Sequence, residues 1–272
     1  EDILARGRGH AFYARHESKK SLLALWCAKE LALSGVLTLY FDYEMTEDDV
    51  RDRLDAMGCG PETDLSLLRY FVLPELDPLD TAAGAKALLG IVDDRRSRFP
   101  AVPECAVIID TISRAVQGEE NSNDTIRDFY RHTGIGLKQR GVTWARLDHA
   151  GKDEDRGQRG GSAKGDDVDI VWRVKLEEAG VDLHRIKGRM SWVPPLVSLA
   201  LREEPVLEFK RVESNWPQGT FETVLDLDKL SVPMDAPASA AQQALKGAGK
   251  GRRKALILAA LKYRRMMANG GG

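Results

Sequence analysis

The strongest constraint on the fold is the run Cys105-Ala106-Val107-Ile108-Ile109-Asp110, which is apolar at consecutive positions and ends in an acid. A strand without polar alternation must bury both faces, a situation found in parallel sheets covered by helices on each side. Further strand-like runs fall near 10–14, 36–42, 68–73, 142–148 and 169–176, and between them lie helix-patterned segments near 20–34, 47–57, 79–98 and 123–139. Strands alternating with helices predict an α/β fold with a doubly wound, mostly parallel sheet and helices on both faces. After Gly180 the pattern shifts to strand-like stretches at 181–187, 196–202 and 205–212, joined by Pro194-Pro195 and Glu203-Glu204-Pro205. These predict antiparallel hairpins extending one sheet edge.

The first strand and helix enclose a polar loop that ends in Lys20-Ser21. A phosphate-binding loop has the form G-x-x-x-x-G-K-[S/T]: backbone N–H groups cradle phosphates, the lysine reaches the β and γ groups, and the hydroxyl holds Mg²⁺. The residues expected to hold ATP are therefore Ala14, Arg15, His16, Glu17, Ser18, Lys19, Lys20, Ser21 and Leu22. Ala14 and Lys19 stand where the pattern has glycines. Asp110, at the C-terminal end of its strand, can reach a metal on Ser21, so Ser21 and Asp110 are the expected Mg²⁺ ligands. Between them, Glu44 follows the strand-like 36–42 and precedes a helix with Thr46 as its expected N-cap. A carboxylate at that turn can activate a water for attack on a γ-phosphate. The plainer reading of Glu44 is an acid that stabilises a helix dipole.

Tyr43-Glu44-Met45-Thr46 with Arg53-Leu54, together with the loop and the Asp110 strand, resembles the RecA-like P-loop ATPases, and within them the ring-forming replicative helicases of the DnaB and plasmid RepA type. Leu147-Asp148-His149 resembles their switch strand, 159–169 their Gly-Ser segment, and Arg185-Ile186-Lys187-Gly188-Arg189 their Lys-x-Arg finger. The resemblance runs through about residues 5 to 212, in the family's order. It implies an AAA-type ATPase in which Glu44 and Lys20 are catalytic, His149 senses the γ-phosphate, and Lys187 and Arg189 complete the neighbouring subunit's site. It also implies a homo-oligomer, a hexameric ring, that moves on single-stranded DNA during replication. The loops at 112–124 and 150–167 would line the channel, the second through Lys152, Arg156, Arg159 and Lys164.

The glycine-poor loop departs from the family. Either it is reshaped, with Lys19 as an extra phosphate contact, or nucleotide binding is weakened. Two other readings share the motifs: a DNA-stimulated recombination or regulatory ATPase without unwinding, and a pseudo-ATPase scaffold.

Lysine plus arginine total 40 against 42 acids, so net charge points to no partner and any nucleic-acid surface must be local. Cys27, Cys59 and Cys105 are too scattered for a metal knuckle or disulfide framework, and no apolar stretch has membrane-spanning length. A reducing cytoplasm is the expected location, and no collar domain is expected before the first strand. The expected division is an ATPase domain over 1–233, a linker over 234–250, and a basic helical tail over 251–272. That tail reads as part of a winged-helix module, an oligomer-docking helix or a nucleic-acid-binding arm.

Overall fold

The computed structural model describes residues 3–15, 17–119, 122–150, 167–212, 217 and 219–269. Contacts divide the chain into two compact units, Glu1–Val212 and Glu213–Gly272.

In the first unit the strands are β1 (Gly9–Ala14), β2 (Leu37–Asp42), β3 (Leu68–Val72), β4 (Cys105–Asp110), β5 (Thr143–His149), β6 (Ile170–Glu177), β7 (Gly180–Gly188), β8 (Leu196–Arg202) and β9 (Glu208–Arg211). They form one sheet in the order β3-β2-β4-β5-β1-β6-β7-β8-β9. The strands from β3 across to β6 are parallel, and β7, β8 and β9 extend the β6 edge antiparallel. The period-two geometry of a strand sends alternate residues to opposite faces. In β1, Phe12 and Ala14 join one buried cluster while Ala11 and Tyr13 join the other. In β4, Ile108 goes to the first and Val107 and Ile109 to the second. That two-sided burial is what the unbroken apolar run demands.

Helix α1 (Lys20–Leu33) covers the first face through Leu23 and Ala28. Helix α2 (Glu47–Ala56) starts at a capping box: the Thr46 side chain accepts from Asp49 N–H and the Asp49 carboxylate accepts from Thr46 N–H. The second face is covered by α3 (Ala82–Arg98) through Leu88 and Val92, and by the segment holding α5 (Asn123–Phe129) and α6 (Ile135–Gln139), through Phe129 and Leu137. A π-helical turn, Tyr130–Gly134, joins α5 to α6, so the single helix expected over 123–139 is interrupted. A short helix, α4 (Ile112–Ala115), follows β4 and buries Ile112 and Ala115, so part of the polar loop expected at 112–124 is helical and packed.

The second unit contains α7 (Thr220–Lys229), α8 (Ala238–Gly247) and α9 (Lys254–Asn269). Leu227, Ala241, Leu245, Ile257, Ala260 and Leu261 form its core. The stretch 234–250, expected as a linker, holds α8.

Candidate active site

The cleft opens at the C-terminal ends of the parallel strands, where an open α/β sheet places its ligands. Its volume is about 330 Å³, and its walls come from 15–22, excepting His16, together with Glu44, Arg53, Thr111 and His149. His16 lies outside the described residues. Ala14, the last residue of β1, leads into the loop and pairs in register with His149 at the end of β5.

The loop keeps a left-handed backbone without glycine. Glu17 has φ 62° and Lys19 φ 59°, and Lys19 is the N-cap of α1. The Lys19 ammonium pairs with the Glu203 carboxylate at 2.6 Å, with the lysine side chain about one-third exposed. Lys20 is buried and donates to the main-chain carbonyl of Asp148 at 2.6 Å. The Asp148 side chain pairs in turn with Arg146 at 3.3 Å, both fully buried, and Arg146 also bonds Asp167 and lies over the Phe129 ring.

Ser21 donates to Asp110 at 3.2 Å, and Tyr40 donates to the other Asp110 oxygen at 2.7 Å. Burial pushes the Asp110 carboxyl up to about 6; the Tyr40 hydrogen bond opposes that, and the Asp42 carboxylate beside it adds to it. Asp42 and Asp110 are register partners on β2 and β4, and each receives a tyrosine hydroxyl, Tyr70 serving Asp42 at 2.5 Å. Asp42 also shapes the turn that follows it, accepting from the N–H of Glu44 at 2.8 Å and of Met45 at 3.0 Å. That turn presents Glu44 to the cleft. Its carboxylate accepts from the Thr111 hydroxyl at 3.0 Å and lies 4.0 Å from Arg114.

Among the described residues of the cleft, the cations Arg15, Lys19, Lys20 and Arg53 outnumber the acids Glu17 and Glu44. The Arg53 Nη1 atom is buried with no hydrogen-bond partner. A buried guanidinium nitrogen of that kind seeks an acceptor, and a polyphosphate supplies acceptors. The Ser21 hydroxyl and Asp110 carboxylate are hard oxygen donors suited to Mg²⁺. On the chemistry of these donors, a nucleoside triphosphate with a divalent cation fits the cleft.

Expected site residues therefore converge, apart from two groups. Lys187 and Arg189 do not line the cleft. The antiparallel return of β7 pairs Lys187 with Val171 and Gly188 with Ile170, beside His10 near the start of β1. That is the opposite edge of the sheet, a strand length of roughly 17 Å from the loop end. There Arg189, half exposed, lies 3.4 Å from Asp169. Lys152, Arg156, Arg159 and Lys164 lie outside the described residues. Sequence reasoning does not single out Thr111, Tyr40 or the Asp148 carbonyl, whose parts depend on which strands are neighbours. Arg53 carried a signal, since it lies nine residues after Glu44 on the helix that Glu44 precedes.

A solved structure of the ATPase domain of a DnaB-like helicase superposes with a TM-score of 0.61 at 16% identity, covering 77% of this chain and 86% of that one. The shared fold is RecA-like: a mostly parallel sheet wrapped by helices with antiparallel edge strands. No curated protein matches the sequence. Among the described residues no helix is long and apolar enough to cross a membrane. A family model described as "AAA domain" matches residues 1–155, more than half of the chain and the whole stretch from the phosphate loop through His149, and the chain belongs to that family.

Proposed function

We propose that this chain is an ATP-hydrolysing RecA-like motor that works as a homo-oligomer on DNA, in the manner of a replicative helicase. The observation that supports it best is convergence: Lys20, Ser21 with Asp110, Glu44 and His149 come from the ends of β1, β4, β2 and β5 and meet at one cleft.

In this reading the loop N–H groups, Lys20 and Arg53 bind the phosphates. Ser21 and Asp110 hold Mg²⁺, which when bound neutralises charge on the β and γ groups. Glu44, oriented by the Thr111 hydroxyl, takes a proton from the attacking water. His149, at the end of β5 and one residue from the carbonyl that holds Lys20, senses the γ-phosphate. Lys187 and Arg189, a strand length from their own cleft, serve a neighbouring subunit. Finger charges supplied in trans contribute about three to five orders of magnitude in rate in related chemistry, so oligomerisation is part of the reading. Single-stranded DNA is the polymer on which it acts, gripped by Lys152, Arg156, Arg159 and Lys164.

Steady-state ATP hydrolysis over a protein-concentration series, with and without single-stranded DNA, tests this. Expected is a specific activity that rises with concentration and with DNA, and falls about 10²-fold or more in Glu44→Gln. Equal hydrolysis by wild type and Glu44→Gln would remove Glu44 from the mechanism. No hydrolysis at any concentration would leave a nucleotide-binding scaffold, and DNA-stimulated hydrolysis without unwinding of a forked duplex would leave a regulatory ATPase.

A further inference from the structure

The two units differ in charge. Residues 213–272 hold nine lysines and arginines against five acids, while residues 1–212 hold thirty-one against thirty-seven. Asp235 is the last acid in the sequence, and five of the cations, Lys246, Lys250, Arg252, Arg253 and Lys254, fall within the nine residues that run from the last turn of α8 to the start of α9.

The local structure gathers these five into one knuckle. At the end of α8, Gly249 takes φ 70° and Lys250 N–H returns to the Leu245 carbonyl at 2.8 Å, so the chain reverses at once. Lys250 and Arg252 then close on the same carboxylate, Asp226, at 2.6 and 3.1 Å. One acid is thus shared by two bases. Lys246, Arg253 and Lys254 are exposed, with no carboxylate at ion-pair distance among the described residues. Arg253 and Lys254 also stand at the positive end of the sixteen-residue helix α9, where cations oppose the dipole and first-turn N–H groups await acceptors. The helix tolerates them because Ile257, Ala260 and Leu261 anchor it to the core of the unit.

We propose that this knuckle is a docking surface for the phosphate backbone of double-stranded nucleic acid, built from residues other than those of the cleft and of the expected channel loops. Duplex DNA carries one negative charge per ~1.7 Å of axis, a density that a compact cation cluster matches. A membrane surface fits less well: residues 246–254 are Lys-Gly-Ala-Gly-Lys-Gly-Arg-Arg-Lys, without an apolar or aromatic anchor. The knuckle reads charge and spacing, and no side chain in it is built for base recognition.

The test uses the full chain without nucleotide, so it stands apart from the ATPase reading. Anisotropy of a short fluorescein-labelled DNA duplex is titrated between about 50 and 200 mM salt, with wild type, Arg253→Gln, and the triple variant Lys246→Gln, Arg253→Gln, Lys254→Gln. Removing one phosphate contact lowers the slope of log K against log salt by about 0.9 on a duplex. The slope should fall by about one in the single variant and by about two to three in the triple. Both variants should retain wild-type ATP hydrolysis and helical circular dichroism, and Arg253→Lys should retain the slope. Unchanged slopes in both glutamine variants would overturn the proposal, as would the absence of duplex binding by wild type or capture only by phosphatidylserine vesicles. A slope that falls only on a single-stranded probe would also overturn it.

Discussion

Lys19 carries a conflict between conformation and chemistry. Its φ of 59° is a glycine-type value in the position where phosphate loops carry glycine. For an L-residue the left-handed region costs about 1–2 kcal/mol. The exposed ion pair with Glu203 returns at most about 1 kcal/mol, so strain outweighs it. Lys19→Gly should therefore raise the stability of the chain by about 1 kcal/mol, read as a later urea midpoint at unchanged slope. A midpoint that falls would mean that the Glu203 contact is worth more than an exposed pair usually is. In the structure the ammonium turns to the β8–β9 connection, so of the two expectations for Lys19 the reshaped loop describes the backbone, and the added phosphate contact is not formed by this rotamer.

At the scale of elements, helix α3 shows how tightly the cover of the sheet is fitted. Gly84 lies in its first turn, two residues after Ala82, and a Cβ there would stand 2.2 Å from the carbonyl oxygens of both Asp77 and Pro78. Helix propensity alone favours alanine by about 1 kcal/mol. Overpacking against backbone costs about 1–3 kcal/mol, because main-chain atoms cannot swing aside. Gly84→Ala should thus destabilise the chain by about 1–2 kcal/mol in urea denaturation, and a gain in stability would show that the 76–80 segment yields. Such contacts also mark the boundary of what the sequence makes legible. The succession of strands and helices through β9 is readable because Cys105–Asp110 is apolar throughout, because Thr46 and Asp49 cap α2, and because turn residues punctuate 194–205. Lys20, Ser21, Asp110 and Glu44 are readable because each begins, ends or follows such an element. The Tyr40–Asp110 bond is not, since it requires β2 to lie beside β4, 70 residues apart. Neither is the left-handed Lys19, whose side chain gives no hint of that backbone. In the second unit α8 escapes notice because Ala, Ser and Gln in 238–243 read equally as linker and as helix.

At the scale of the molecule, the separation of cleft and finger residues makes a sharp prediction. Glu44→Gln chains keep sound Lys187 and Arg189, while Arg189→Ala chains keep a sound cleft. Mixed together, two individually impaired preparations should recover activity, because some interfaces then pair an intact cleft with an intact finger. A mixture no more active than the average of its parts would place Arg189 outside the reaction. The cause is the β6–β7 turn at Gly180, which sends β7 back to the far edge of the sheet. A chain folded that way carries both halves of the chemistry and can join neither by itself. Synthesis in excess of assembly therefore consumes no nucleotide, and a cell could store the idle chains at no running cost until a partner arrives.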